Sequence, residues 1–490
     1  LIHIEALTSR YPSLLHSDRR LRIAIPRIWY NYRENETQRG AGMEKMIRLL
    51  LRAADIVFMN ILWCDYANII RGKAIHRNLF EQGGSFPVSI SKAQLGVSAC
   101  GDYVVPESPC IPVGEIFLKP DWNTLRVLPY LPGYASVNGE MTQWGQEESI
   151  DPRRFLKNAL KELSQYGISI KAAFENEFTL LNKVTGEPID KTLFASPSAI
   201  MENGPFIARL GDALEMQGLE VERFYPESGF GQYELTTRYS DALEAADNQI
   251  LFRQTVHGLS AQFGYAATFL PKYAQEQAGN GCHVHFSLWK ENRNLFRDAF
   301  GKNNHPDLSE SFVAGVLENL PSLMALTVPS PNSFHRLKPH CWSGAFQCWG
   351  VDNREAALRA ITPPESHCAG AKQNIDHFEL KTCDASSNPY LALSGLILCG
   401  VLGIKKGLAL PPPCQKDPGS STAEDLARLK IARLPLNLLE CVRAFESNSD
   451  FNGFFHPMMK EAIIAVRKEE YRKLNALSFE EQTALLKDRY

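Results

Sequence analysis

Two spacings of apolar residues alternate along the chain. "GMEKMIRLLLRA" (Gly42 to Ala53) has helical spacing. "DIVFMNILWCDYANIIRGKAIH" reads as two strands joined by a polar turn near Asp65 to Asn68. Further strand-like pieces run to the Pro- and Gly-rich "VGEIFLKPDWNTLRVLPYLPG", and together they suggest a small β-rich domain. "DPRRFLKNALKELSQYG" then predicts a helix, with Asp151 as N-cap, Pro152 in its first turn and Gly167 as its stop. Beyond it strands alternate with long helices, an α+β pattern. The longest apolar run, "YLALSGLILCGVLGI" (Tyr390 to Ile404), is short for a membrane span and reads as a buried core helix. The expected organisation is an N-terminal extension of unclear role (1–42), a small β domain (43–145) and a larger domain (146–490).

Composition narrows the class. The 490 residues are 44% hydrophobic and 22% charged, the balance of a soluble globular protein. A formal net charge of -3 argues against a nucleic-acid footprint or a basic membrane face. The first twenty residues lack the basic-then-apolar order of a secretory signal. Eleven dispersed cysteines without a Cys-x-x-Cys pair suit reduced thiols and a cytoplasmic location.

Acidic residues interrupt otherwise apolar strands in a recurring way. "AAFENEFTLL" places Glu175 and Glu177 two apart, hence on one face of a strand. "YPESGFGQYELTTR" holds Glu227 and Glu234 around a small, flexible segment, "NGCHVHFSL" holds His283 and His285 at strand spacing, and "HFELKTCDASSNPYLAL" holds Glu379. Any one of these stretches is ordinarily a solvated strand face or a satisfied structural histidine. Gathered in apolar surroundings, however, the carboxylates would cost several kcal/mol unless a cation compensated them. Divalent Mg²⁺ or Mn²⁺ would supply that charge through oxygen and imidazole ligands, and a pair of ions would suit phosphate transfer. "NSFHRLKP" adds Arg336, and "GVDNREAALRA" adds Arg354 and Arg359. The latter two are either ordinary arginines on an exposed helix or forked grips for carboxylate and phosphate.

In order, "FENEF", "ESGFGQYE", "AATFLPK", "GCHVHFSL", "NSFHRL", "DNREAALR" and "FELKTCDASSNPYLAL" resemble the glutamine synthetase family. The wording "CWSGAFQCWG" is similar to its FluG-type subgroup. The resemblance implies an N-terminal β-grasp domain and a catalytic domain with a curved antiparallel sheet flanked by helices. It also implies a homo-oligomeric ring whose active sites lie between subunits. Glu177, Glu227 and Glu234 match the ligands of one divalent cation; Glu175, His283 and Glu379 match those of a second. Arg336 matches the grip on the substrate carboxylate. Arg354 and Arg359 match arginines at the transferring phosphate and the nucleotide, with His285, Ser287 and Glu222 at nucleotide positions. The implied activity is ATP-dependent amide formation from glutamate and ammonia or an amine, through a γ-glutamyl phosphate.

Three positions depart from that pattern. Trp342 falls where an ammonia-using enzyme carries a flap glutamate; an indole cannot take a proton but can wall an apolar amine pocket. Ala278 replaces an asparagine that helps hold glutamate, and Lys381 replaces an arginine, keeping the charge but losing the fork. A catalytically silent relative with a structural or signalling role is the alternative, although such a relative would be free to lose ligands and this chain keeps all six.

Overall fold

The computed structural model describes residues 41–81, 88–143, 145–298, 300, 307–367 and 374–490, so the expected extension 1–42 lies almost wholly outside them. The chain enters through helix α1 (Ala41–Ala53), whose Ile47 and Leu51 join the main core. Strands β1 (Phe58–Cys64) and β2 (Ile70–His76) pair antiparallel from Phe58 with His76 to Cys64 with Ile70. β3 (Ser89–Ser91), β4 (Glu115–Pro120) and β5 (Tyr134–Gln143) extend this sheet in the order β2-β1-β5-β4-β3, with β5 parallel to β1.

The polar turn between β1 and β2 is the expected one, and Asn68 takes its left-handed position (φ +63°), which asparagine tolerates. The turn also ties the N-terminal unit to the 385–388 segment. Asn68 Nδ2 donates to the Ala385 carbonyl at 2.7 Å, and Asn388 Nδ2 donates to the Asp65 carbonyl at 2.9 Å.

Helix α2 (Pro152–Ser164) begins as predicted: one Asp151 oxygen accepts the Arg153 N–H at 2.9 Å and the other accepts the Met141 N–H at 3.0 Å. Gly167, at φ +69°, turns the chain into β6 (Ser169–Asn182). The second sheet runs β7 (Val221–Pro226), β8 (Gln232–Thr237), β6, β9 (Cys282–Lys290), β12 (His377–Leu380), β11 (Ala356–Ile361), β10 (Phe346–Val351) and β13 (Ala432–Arg433). It curls into a half-barrel. "GVDNREAALRA" is thus strand and turn, not an exposed helix; Ala356, Ala357, Leu358 and Ala360 are buried in the sheet.

Helices α3 (Pro197–Met216), α4 (Ala242–Gln262), α5 (Leu308–Glu318) and α6 (Pro389–Lys406) back the sheet. α6 contains the long apolar run and is long and apolar enough to cross a membrane, yet it is buried from Pro389 to Ile404. Its closest approach is to α5. A Cβ on Gly403 would meet the Ser311 carbonyl at 2.0 Å, so only glycine lets these two backbones touch. Buried Arg153 joins the two sheets' territories, pairing with Asp121 at 2.8 Å and Glu140 at 3.1 Å from the first and with Asp247 of α4 at 2.8 Å.

Candidate active site

Strand pairing converts the period-two patterns into one surface. Register sets Glu177 opposite Glu234, Glu175 opposite His283, and Glu379 between His285 and Arg359. Residues from five strands therefore share one face. His283 Nδ1 lies 3.1 Å from Glu175 Oε1 and 3.1 Å from Glu379 Oε1. His285 Nε2 lies 3.2 Å from Glu175 Oε2 and 3.9 Å from Glu379 Oε1. Arg359 Nη1 and Lys381 Nζ hold the two oxygens of Glu379 at 3.2 and 3.0 Å. Glu177 accepts from Gln232 Nε2 and from the Gly281 N–H, both at 3.0 Å.

The electrostatics divide these carboxylates. Burial alone would raise Glu175, but hydrogen bonds from His283 and His285 outweigh it and hold the group below the usual carboxylate range. Burial likewise opposes ionisation of Glu379, and the Lys381 ammonium and His283 overcome it. His283 itself is held above its ordinary value: burial and Lys381 push it down, and its two carboxylate partners prevail. For Glu227 and Glu234 burial and like charge prevail. Burial and then Glu177 push Glu227 up to about 7. Burial, then Glu175 and Glu177, push Glu234 up to about 10, with the Tyr225 hydroxyl donating to it.

A divalent cation fits this donor set. Oxygen and imidazole donors lie within 4.8 Å of one another in two groups, Glu175–Glu177–His283 and Glu175–His285–Glu379. Glu175 belongs to both. Without a cation, the surroundings of half-buried Glu227 and buried Glu234 beside Glu177 disfavour their charged forms. A buried polar atom lacking a hydrogen-bond partner, Nε of Arg359, also lies here. Gly281 lines the same space: a Cβ there would lie 2.5 Å from His283 Nε2 and 3.0 Å from Glu177 Oε1.

The other expected site residues take varied positions. Ser287 is buried on β9 and accepts from Trp289 Nε1 at 2.8 Å, while Glu222 is exposed on the edge strand β7. Arg336 is buried with its guanidinium donating to the carbonyls of Thr382 at 2.6 Å and Cys383 at 3.1 Å; its Nε has no partner. Ala278 is exposed beside the Gly229 turn. Trp342 is 59% exposed at φ +52°, with the Arg354 guanidinium 5.5 Å from its ring centroid.

Four contributors went unnoticed in the sequence. Gln232 and His377 lie two residues before Glu234 and Glu379, so the same alternation could have found them. His377 Nε2 lies 3.0 Å from His285 Nδ1, and His377 Nδ1 is 2.9 Å from Asp376. Tyr225 and Gly281 carry no comparable local signal.

A curled, mainly antiparallel sheet (β10 and β11 pair parallel) whose face unites glutamates, histidines, lysine and arginine in this way defines an enzyme of the half-barrel ligase class, with donors that could hold a metal. Residues 149–483 match the glutamine synthetase catalytic domain. The chain belongs to the glutamine synthetase family, ligases that form C–N bonds. It is 34% identical over 449 residues to a type-1 glutamine synthetase of Dictyostelium discoideum, covering 87% of this chain and 88% of that protein. It is 32% identical over 423 residues to a gamma-glutamylpolyamine synthetase of Streptomyces coelicolor, covering 85% and 90%. A solved glutamine synthase homologue superposes with a TM-score of 0.77 at 27% identity, covering 89% of this chain and 99% of that one.

Proposed function

We propose that the protein is an ATP-dependent ligase that joins the γ-carboxyl of glutamate to an amine, with an organic amine favoured over ammonia. The observation carrying this reading is the single face that holds Glu175, Glu177, Glu234, His283 and Glu379, with Glu227 at the adjoining turn and Arg359 and Lys381 at its border. Glu177, Glu227 and Glu234 would hold one divalent cation, and Glu175, His283 and Glu379 a second. Bound there, Mg²⁺ or Mn²⁺ would offset the negative charge of the γ-carboxylate and the nucleotide phosphates.

The chain's own groups do the rest. Arg336 and Lys381 would hold the glutamate carboxylate, and Arg354 and Arg359 the transferring phosphate. His285, Ser287 and Glu222 would line the nucleotide. A γ-carboxylate oxygen attacks the γ-phosphorus and ADP leaves. The amine nitrogen then attacks the acyl carbon, loses its surplus protons and expels phosphate. The acyl phosphate replaces an oxide leaving group with a far better one.

Trp342 in place of a flap acid supports the organic amine, as does the relative named for making gamma-glutamylpolyamines. The reading extends to a homo-oligomeric ring in the cytoplasm; exposed Ile111 and Val113 on the N-terminal unit would serve as subunit contacts. The test is product identification by mass spectrometry from glutamate, ATP, Mg²⁺ and a panel of ammonium and alkylamines. A γ-glutamyl amide with stoichiometric ADP is expected; no amine-dependent phosphate release from folded protein would refute the proposal.

A further inference from the structure

The flap position holds an indole, yet a carboxylate lies directly beneath it. Glu355 ends the turn before β11 and is only 7% exposed. One of its oxygens, Oε1, accepts the backbone N–H of Trp342 at 2.9 Å. The other, Oε2, is buried without a hydrogen-bond partner. An ionised carboxylate oxygen with no donor, shut away from water, costs more than an ordinary unmade hydrogen bond. Nothing in the fold requires that cost. Asn353 already shapes the turn by accepting the Glu355 N–H at 3.0 Å, and a neutral side chain could accept the Trp342 amide equally well.

Position points to its use. Glu355 immediately precedes β11, whose Arg359 reaches Glu379 in the metal-binding hollow. Between them the 339–344 loop folds over the strand: a Cβ on Gly344 would lie 2.8 Å from Ala357 Cα and 3.3 Å from Lys381 Cβ. The loop thus runs from Glu355, through the Trp342 amide, to Lys381, whose Nζ reaches Glu379 in the hollow. Glu355 and Trp342 also line one open cleft of about 550 Å³ with His340 and Arg354. A carboxylate beside an aromatic wall is a suitable receptor for an organic cation, supplying charge through one and apolar contact through the other.

Resting on the ligase reading, we infer that Glu355 binds the ammonium head of a primary aliphatic amine. Its free oxygen accepts an N–H of the substrate while its bonded oxygen fixes the loop that carries Trp342. The acid absent from the flap is thus supplied from the turn beneath it.

Glu355→Gln tests this, because glutamine still accepts the Trp342 amide and removes only the charge. Calorimetric binding of 1,4-diaminobutane to the full chain with Mg²⁺ and ADP reads the contact without requiring turnover. The expected result is at least tenfold weaker binding in the variant. In turnover assays with the same amine, its KM should rise by a similar factor while the KM values for glutamate and ATP stay within twofold. Equal binding by both proteins would overturn the inference, as would a parallel rise in all three KM values, which would mark Glu355 as structural. If the wild type binds the diamine and the variant does not, but neither releases phosphate, only the ligase reading fails.

Discussion

Gly281→Ala should remove the metal site while leaving the fold. The added Cβ would lie 2.5 Å from His283 Nε2 and 3.0 Å from Glu177 Oε1, against 3.4 Å at the near edge of ordinary contact. The imidazole would have to retreat by about 1 Å, several times the ~0.2 Å tolerance of metal–ligand distances. It cannot do so freely, because it is buried and held at 3.1 Å by both Glu175 and Glu379. Disturbing even the supporting residues of a metal site costs about 10–100-fold in affinity. A direct clash with two ligands should reach at least ~100-fold, or about 2.8 kcal/mol.

The backbone is not the obstacle. Gly281 is absent from the positive-φ positions, so alanine suffers no conformational penalty there. The assay is Mn²⁺ titration of EDTA-stripped protein by calorimetry or electron paramagnetic resonance, with thermal melts of the stripped forms as the folding control. The stripped variant should melt within about 4 °C of wild type, since local overpacking costs ~1–3 kcal/mol. Mn²⁺ affinity within threefold of wild type would refute the assignment of Glu177 and His283 to a metal centre.

Other predictions follow from the charges. In the native state Glu234 is raised from 4.5 to about 10 and Glu227 from 4.5 to about 7, so the folded protein retains protons that the unfolded chain releases above 4.5. Metal-free stability should therefore fall as pH rises from 4.5 through those values, and Glu234→Gln should flatten that decline in EDTA; parallel melting-temperature profiles for the two proteins would contradict it. Lys381→Met should destabilise the stripped protein more than the Mn²⁺-loaded one, because a cation can take over the neutralisation of Glu379 (Nζ to Oε1 3.0 Å); equal losses in both forms on melting would count against it. Arg153→Met should cost about 3–5 kcal/mol in urea unfolding, since it strands Asp121 and Asp247 with their shared buried cation gone.

Much of the site could be read locally. Alternation alone placed Glu175 with Glu177 and His283 with His285, and the start of α2 followed from Asp151 and Pro152. Those features depend on neighbours a few residues away, where side-chain direction and cap chemistry act. "GVDNREAALRA" showed the limit. Its residues suit a helix on their own, and they form a strand because Arg359 pairs opposite Glu379 in the sheet ladder. Arg336 showed it again: its expected grip on a substrate coexists with bonds to the carbonyls of 382 and 383, which no local pattern announces.

By itself, then, the order of residues settled which side chains share a strand face, where α2 begins and which run would be buried. Folding decided which faces meet. Glu177 faces Glu234 from 57 positions away along the chain, and Gly281 leaves space beside His283 and Glu177, because long-range ladder register is set by pairing between distant strands. A strand's own composition carries its period but not its partner.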